Sequence, residues 1–183
     1  YLSGNQLTGS LPGHWSALTG MKELRLGGNE VAGSLPEQWS ALTELEYLDV
    51  SYNELSSSLP AQWSALTRLR RMYAQANELS GSLPEQWSSL AELSMMLLPD
   101  NRLTGRLPEQ WSALSGLTYG INVLRNYLEG SAPASYNFTV FLYPQYEVET
   151  PSPVPAPSMP PVPAVSLYGL NTQVPAKESP ASV

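Results

Sequence analysis

Residues 45–68 read LEYLDVSYNELSSSLPAQWSALTR, and this stretch decides the fold. The pair Leu48-x-Val50 alternates with period two, as a short strand with one buried face does. Asn53 follows where the chain must turn out of that strand. Its amide both donates and accepts, so it can satisfy backbone groups that the turn leaves unpaired. Pro60 then fixes φ and prevents the strand ladder from continuing. The segment leading into the stretch, Pro36-x-x-Trp39-x-x-Leu42-x-x-Leu45, has spacing three, which suits a 3-10-like or helical return. One such coil cannot cover its own apolar face, so coils must stack.

The stretch recurs along the chain. Tryptophans stand at positions 15, 39, 63, 87 and 111, each 24 residues from the last. Leu-Pro pairs keep step at Leu11-Pro12, Leu35-Pro36, Leu59-Pro60, Leu83-Pro84 and Leu107-Pro108, as do Asn5, Asn29, Asn53, Asn77 and Asn101. The sixth copy slips by one residue, giving Asn126, Pro133 and, where Trp would stand, Tyr136. The added residue lies near Gly120 and should bulge that coil. Four residues past Asn most coils carry Gly, which permits a positive φ at a second bend; Ser57 replaces it in the third.

The string L-x-x-L-x-L-x-x-N-x-L-x-G-x-L-P resembles the leucine-rich repeat of the 24-residue plant-type class. The Trp-bearing form resembles repeat proteins of green algae and surface antigens of some protists. The resemblance covers residues 1–138. It implies an α/β repeat solenoid, a horseshoe with short parallel strands on the concave side and a 3-10 or irregular convex side. It also implies protein or peptide recognition as the activity, often in receptor ectodomains. One departure stands out: plant-type ectodomains carry Cys-bearing caps, and this chain has no Cys.

Composition narrows the alternatives. The 183-residue chain has a net charge of −7, and residues 1–139 carry 8 Lys/Arg against 13 Asp/Glu. No basic stripe exists, so nucleic acid is not an expected partner. Without cysteine there is no disulfide and no zinc–thiolate site. No apolar run approaches the roughly 20 residues of a membrane helix. The chain opens inside a repeat, so the expected context is a fragment of a larger protein.

The domain reading is a solenoid over residues 1–139 and a proline-rich, disordered tail over 140–183. Residues 150–163, TPSPVPAPSMPPVP, favour extended polyproline II and cannot build a core. They resemble the hydroxyproline-rich linkers of plant and algal surface proteins, which places the expected location outside the cell or at its surface; a cytoskeletal scaffold is the alternative.

The candidate site follows from strand alternation. Residues between the buried positions face outward, and while the core repeats, these vary. They are Glu23, Arg25 and Gly27; Tyr47, Asp49 and Ser51; Arg71, Tyr73 and Gln75; Met95, Leu97 and Pro99; and Gly120, Asn122 and Leu124. Tyr and Arg are favoured interface anchors, so the expected partner-binding set is Glu23, Arg25, Tyr47, Asp49, Arg71, Tyr73, Met95, Leu97 and Asn122. Six strands at about 4.8 Å give a strip only about 25 Å wide. That falls short of the roughly 800 Å² per partner of a standard interface, so tight binding calls for loops or further repeats.

The tryptophans and the Asn ladder are expected inside, as core and as an internal hydrogen-bonded ladder. Asn137-Phe-Thr139 is a possible N-glycosylation site in a secreted protein. No catalytic set, cofactor or metal is expected. His14 is the only histidine and takes the place of Gln38, Gln62, Gln86 and Gln110 in other coils. Asp49 with Glu23 or Glu46 lacks a pocket to fix a carboxylate pair. Gly27-Gly28-Asn29 is a turn without the following Lys-Ser/Thr of a phosphate loop.

Overall fold

Each 24-residue coil folds as strand, turn, strand and 3-10 return. The computed structural model describes residues 1–143, 145 and 146. In chain order the strands are β1 (Thr8–Ser10), β2 (Glu23–Arg25), β3 (Glu30–Ser34), β4 (Tyr47–Asp49), β5 (Glu54–Ser58), β6 (Arg71–Tyr73), β7 (Glu78–Ser82), β8 (Met95–Leu97), β9 (Arg102–Gly105), β10 (Gly120–Asn122), β11 (Tyr127–Leu128) and β12 (Val140–Phe141). Five 3-10 turns, Gly13–Ala17, Glu37–Ala41, Ala61–Ala65, Glu85–Ser89 and Glu109–Ala113, each follow a proline held in the extended region.

The even-numbered strands form one parallel sheet in the order β12-β10-β8-β6-β4-β2. Its register aligns Leu24, Leu48, Met72, Met96 and Ile121 as one buried row, closed by the half-buried Val140. A second parallel sheet, β1-β3-β5-β7-β9-β11, runs where the sequence reading placed irregular chain. Its strands pass through Gly and Ser positions, which have no strand signature of their own. They pair because every coil repeats the same bend.

The tryptophans are core. Trp39, Trp63, Trp87 and Trp111 are at most 1% exposed, while Trp15, at the open end, is only half-buried. Neighbouring indoles lie parallel within 8°, with centroids 6.1–6.4 Å apart. Strands in a sheet repeat at about 4.8 Å. The wider spacing on the Trp side bends the stack, with the even-numbered sheet on the inside of the curve. From Trp39 onward each indole N–H donates to the proline carbonyl of the preceding coil, as Trp63 does to Pro36 at 2.9 Å. Tyr136 does the same work with its hydroxyl, donating to Pro108 at 2.6 Å. Burial pushes its phenol well above the ordinary range, so it remains a donor at any ordinary pH.

The asparagines form the second stitch. The Asn53 Nδ2 donates to Leu26, Val50 and Ser51 carbonyls, and its Oδ1 accepts the Val31 N–H. Asn29, Asn77, Asn101 and Asn126 repeat this pattern. The added residue of the sixth coil is absorbed after Leu114, where tight local bonds such as Thr118 N–H to Gly116 replace the regular turn. Gly120 there has φ +79, and a Cβ would stand 2.2 Å from the Thr139 carbonyl oxygen.

The chain stays in the solenoid beyond residue 139. Strand β12 pairs with β10, and Leu142 joins the core. The Gln145 Nε2 donates to Val123 and Leu142 carbonyls, and its Oε1 accepts the Asn126 and Leu128 N–H groups. Gln145 thus replaces the ladder asparagine of a shortened seventh coil, and the sequence boundary at 139 cuts through that coil. The proline-rich stretch 150–163 lies outside the described residues.

Ser57 sits at φ +74, where the equivalent glycines Gly33, Gly81 and Gly105 lie between +74 and +83. An L side chain there costs about 1 kcal/mol. Ser57→Gly is therefore expected to raise stability by about 1 kcal/mol in urea unfolding; a loss would show that the Ser57 side chain makes a contact worth more than the strain.

Candidate functional site

The even-numbered strands carry two outward rows on their concave face. The first aligns Glu23, Tyr47, Arg71, Met95 and Gly120; the second aligns Arg25, Asp49, Tyr73, Leu97, Asn122 and Phe141. Side chains cross between the rows. The Arg25 guanidinium lies 4.0 Å from the Tyr47 ring centroid and 5.0 Å from that of Tyr1. The Tyr47 and Tyr73 rings meet at 5.2 Å, tilted by 37°, and the Tyr73 hydroxyl donates to the Met95 sulfur at 3.4 Å. Tyr1, Arg25, Tyr47, Tyr73 and Met95 so form one contiguous diagonal. Packing fixes these side chains in advance, which lowers the entropy lost when a partner arrives.

Electrostatics divide the arginines. Glu23 accepts from Tyr1 at 2.8 Å and from Arg25 at 3.1 Å. The Tyr1 hydroxyl, then the Arg25 guanidinium, hold the Glu23 carboxyl below the usual carboxylate range. Arg70 pairs with Glu46 and Glu92 on the strand's near side. Arg71 is exposed and has no carboxylate partner among the described residues. These charges border a depression of about 270 Å³ lined by Glu23, Arg25, Glu46, Tyr47, Arg70, Arg71 and Ser94. A larger depression of about 550 Å³ opens away from these strands, between Ser34 and Gln62. It is lined by turn residues with no charged or aromatic cluster, so volume does not decide the site.

Not every expected residue faces a partner. The Asp49 carboxylate turns back to accept the Ser51 N–H at 3.0 Å and the Ser51 hydroxyl at 2.6 Å, covering Gly27. Asn122 likewise accepts the Leu124 N–H at 3.1 Å. Both spend their side chains on the turn beyond the strand. Tyr1 and Phe141 extend the face at its two ends, beyond the residues read from the sequence. Tyr1 falls in a coil opened partway, and Phe141 in the coil whose spacing is broken. Asn137 is exposed on the return of that last coil, and His14 is exposed on the first 3-10 turn. Gln75 Oε1 is the buried side-chain polar atom that lacks a partner among the described residues.

Stacked coils with a parallel concave sheet, a core of Leu and Trp and an internal Asn ladder define the leucine-rich-repeat fold. This chain has that fold, and the Leucine Rich Repeat family model matches its residues 44–66. Among solved structures, it is similar to the plant peptide hormone receptor RGFR1 in complex with RGF2, at 32% identity and TM-score 0.71, over 73% of this chain and 21% of the receptor chain. It is similar to the Arabidopsis receptor kinase HAESA, in complex with the peptide hormone IDA and the co-receptor SERK1, at 30% identity and TM-score 0.67, over 70% and 21% of the two chains. A plant ice-binding protein matches at 32% identity and TM-score 0.62, over 69% of this chain and 40% of its own. The chain thus spans about a fifth of the length of these receptor chains. No curated protein matches it. Among the described residues no helix is long and apolar enough to cross a membrane.

Proposed function

We propose that the concave sheet is a recognition surface for an extended peptide or protein segment, within a protein displayed at the cell surface, and that it binds without catalysis. One observation carries this reading. The buried rows stay apolar from coil to coil, while the outward rows change at every step and bring together the stacked Arg25, Tyr47 and Tyr73 beside Arg71, which has no carboxylate partner among the described residues. The receptor structures solved with bound peptide ligands support it.

Replacing Tyr47, Arg71 and Tyr73 together by alanine is expected to weaken binding of a recovered partner by at least about a hundredfold, since such anchors contribute about 2 kcal/mol or more each. Circular dichroism should be unchanged, because all three side chains lie outside the core. Unchanged affinity would refute the face. If no partner is recovered with the full-length protein, a passive spacer in a wall or coat becomes the better reading.

A second surface favours a second reading. On the odd-numbered sheet small hydroxyls pair across neighbouring strands as Ser34–Ser56, Ser58–Ser80 and Ser82–Thr104. A regular lattice of hydroxyls is suited to ordered water, and one solved relative is an ice-binding protein. Under this reading the protein would slow ice recrystallisation at micromolar concentration, and Ser58→Lys with Ser82→Lys would abolish the effect. Ordinary recrystallisation in its presence would dismiss it.

A further inference from the structure

The concave face has two chemically different halves, and only one of them is charged. Past β6 the second outward row continues through Leu97, Asn122 and Phe141, and two residues further along the chain Pro99 and Leu124 flank it, while the Tyr143 hydroxyl turns away to the Gly130 carbonyl. Four of these five side chains, Leu97, Pro99, Leu124 and Phe141, are apolar, and the fifth, Asn122, has its oxygen engaged by the Leu124 N–H. Phe141 is 50% exposed although it stands beside a well-packed core. Apolar side chains set side by side in this way, with no charge among them, form a contiguous patch rather than the isolated exposures normal on a surface.

The other half supplies the opposite chemistry. Arg71 presents a guanidinium without a carboxylate partner among the described residues, next to the rings of Tyr47 and Tyr73. A face that is cationic at one end and apolar at the other complements a segment that is anionic at one end and apolar at the other.

Resting on the peptide-recognition reading, we propose that the occupant is an extended peptide that crosses the strands. It places a carboxylate on Arg71 and a large apolar side chain over Phe141, beside Leu124. The spacing follows from the sheet. From β6 to β12 is three strand steps, about 14 Å, and the two rows differ by about 7 Å along the strand. The two anchors therefore lie about 16 Å apart, which extended chain covers in about five residues. The apolar half is the specificity-determining part, since a carboxylate alone is common to all acidic segments.

The test is a set of dye-labelled, Gly/Ser-based peptides, each with one Glu and one Leu separated by two to eight residues, titrated against the whole chain by fluorescence anisotropy. Affinity should peak at a separation of four to six. Replacing the Leu by Ser should then cost about tenfold. Leu124→Ser with Phe141→Ser should erase that tenfold preference while leaving the dependence on Glu, and Arg71→Ala should do the reverse. Tryptophan emission of each variant verifies that the core is intact. Binding that ignores the Leu or its position would overturn the two-anchor ligand. So would a set in which no peptide binds while the Tyr47/Arg71/Tyr73 triple variant still loses its recovered partner, an outcome that leaves the recognition reading standing. Only a triple variant with undiminished partner binding overturns both.

Discussion

Trp63→Ala should lower the unfolding free energy by about 5 kcal/mol. The indole is 1% exposed and is stacked on both faces, by Trp39 and by Trp87. Its removal leaves a cavity that the two neighbouring rings cannot close without breaking their own bonds to the proline carbonyls. It also leaves the Pro36 carbonyl without its donor. A loss of that size is comparable with the whole stability of many domains. Urea unfolding followed by circular dichroism measures it. Because each coil contacts only its neighbours, the variant should also show a smaller urea dependence, as the coils on either side come apart separately. Trp15→Ala is the internal control. That ring is stacked on one side only, and its N–H has no proline carbonyl to meet among the described residues. Its loss should cost about 1 kcal/mol. Equal effects at positions 15 and 63 would show that the tryptophans do not act through stacking and stitching.

The second large effect is expected at the ladder. Asn101 is 2% exposed. It donates to the carbonyls of Ala74 at 2.9 Å, Leu98 at 3.1 Å and Pro99 at 3.3 Å, and accepts the Leu79 N–H at 3.0 Å. Asn101→Ala strands these groups where water does not reach. At 1–3 kcal/mol for each buried group left unmade, and with partial relaxation, the expected cost is about 3 kcal/mol. The Leu79 amide should lose its hydrogen-exchange protection along with it. Asn5 has the same sequence position but is exposed and bonds only to Leu2 and Ser3 of its own coil. Asn5→Ala should change stability by less than about 1 kcal/mol. If Asn101→Ala is equally mild, the ladder is incidental to the fold.

The period of 24 made the core legible, because every residue that repeats is one that must meet its own equivalent in the next coil. Trp39, Asn53 and even the substituted Tyr136 could be placed in this way. The second sheet was not legible, since Ser34 or Gly81 joins a strand only through the register imposed by neighbouring coils. At the site, alternation identified which residues leave the core but not what they do outside it. Asp49 and Asn122 sit two residues before a free N–H and bond to it. That choice between local turn and partner is set by the bend, which the sequence does not display. The last coil escaped because Gln145 follows Asn126 by 19 residues instead of 24. The local spacing Val140-x-Leu142-x-x-Gln145 is nevertheless intact, and matches Leu48-x-Val50-x-x-Asn53 once the return is shortened and Gln stands for Asn.

The line of parallel indoles has an optical consequence. Five identical chromophores with centroids 6.1–6.4 Å apart share their excited states. Near-ultraviolet excitation should pass from ring to ring along the row, and removing the middle ring should break that relay into two pairs. Light absorbed deep in the stack can migrate to the half-buried terminal ring before it is emitted, so a quencher reaching Trp15 alone would dim the whole array.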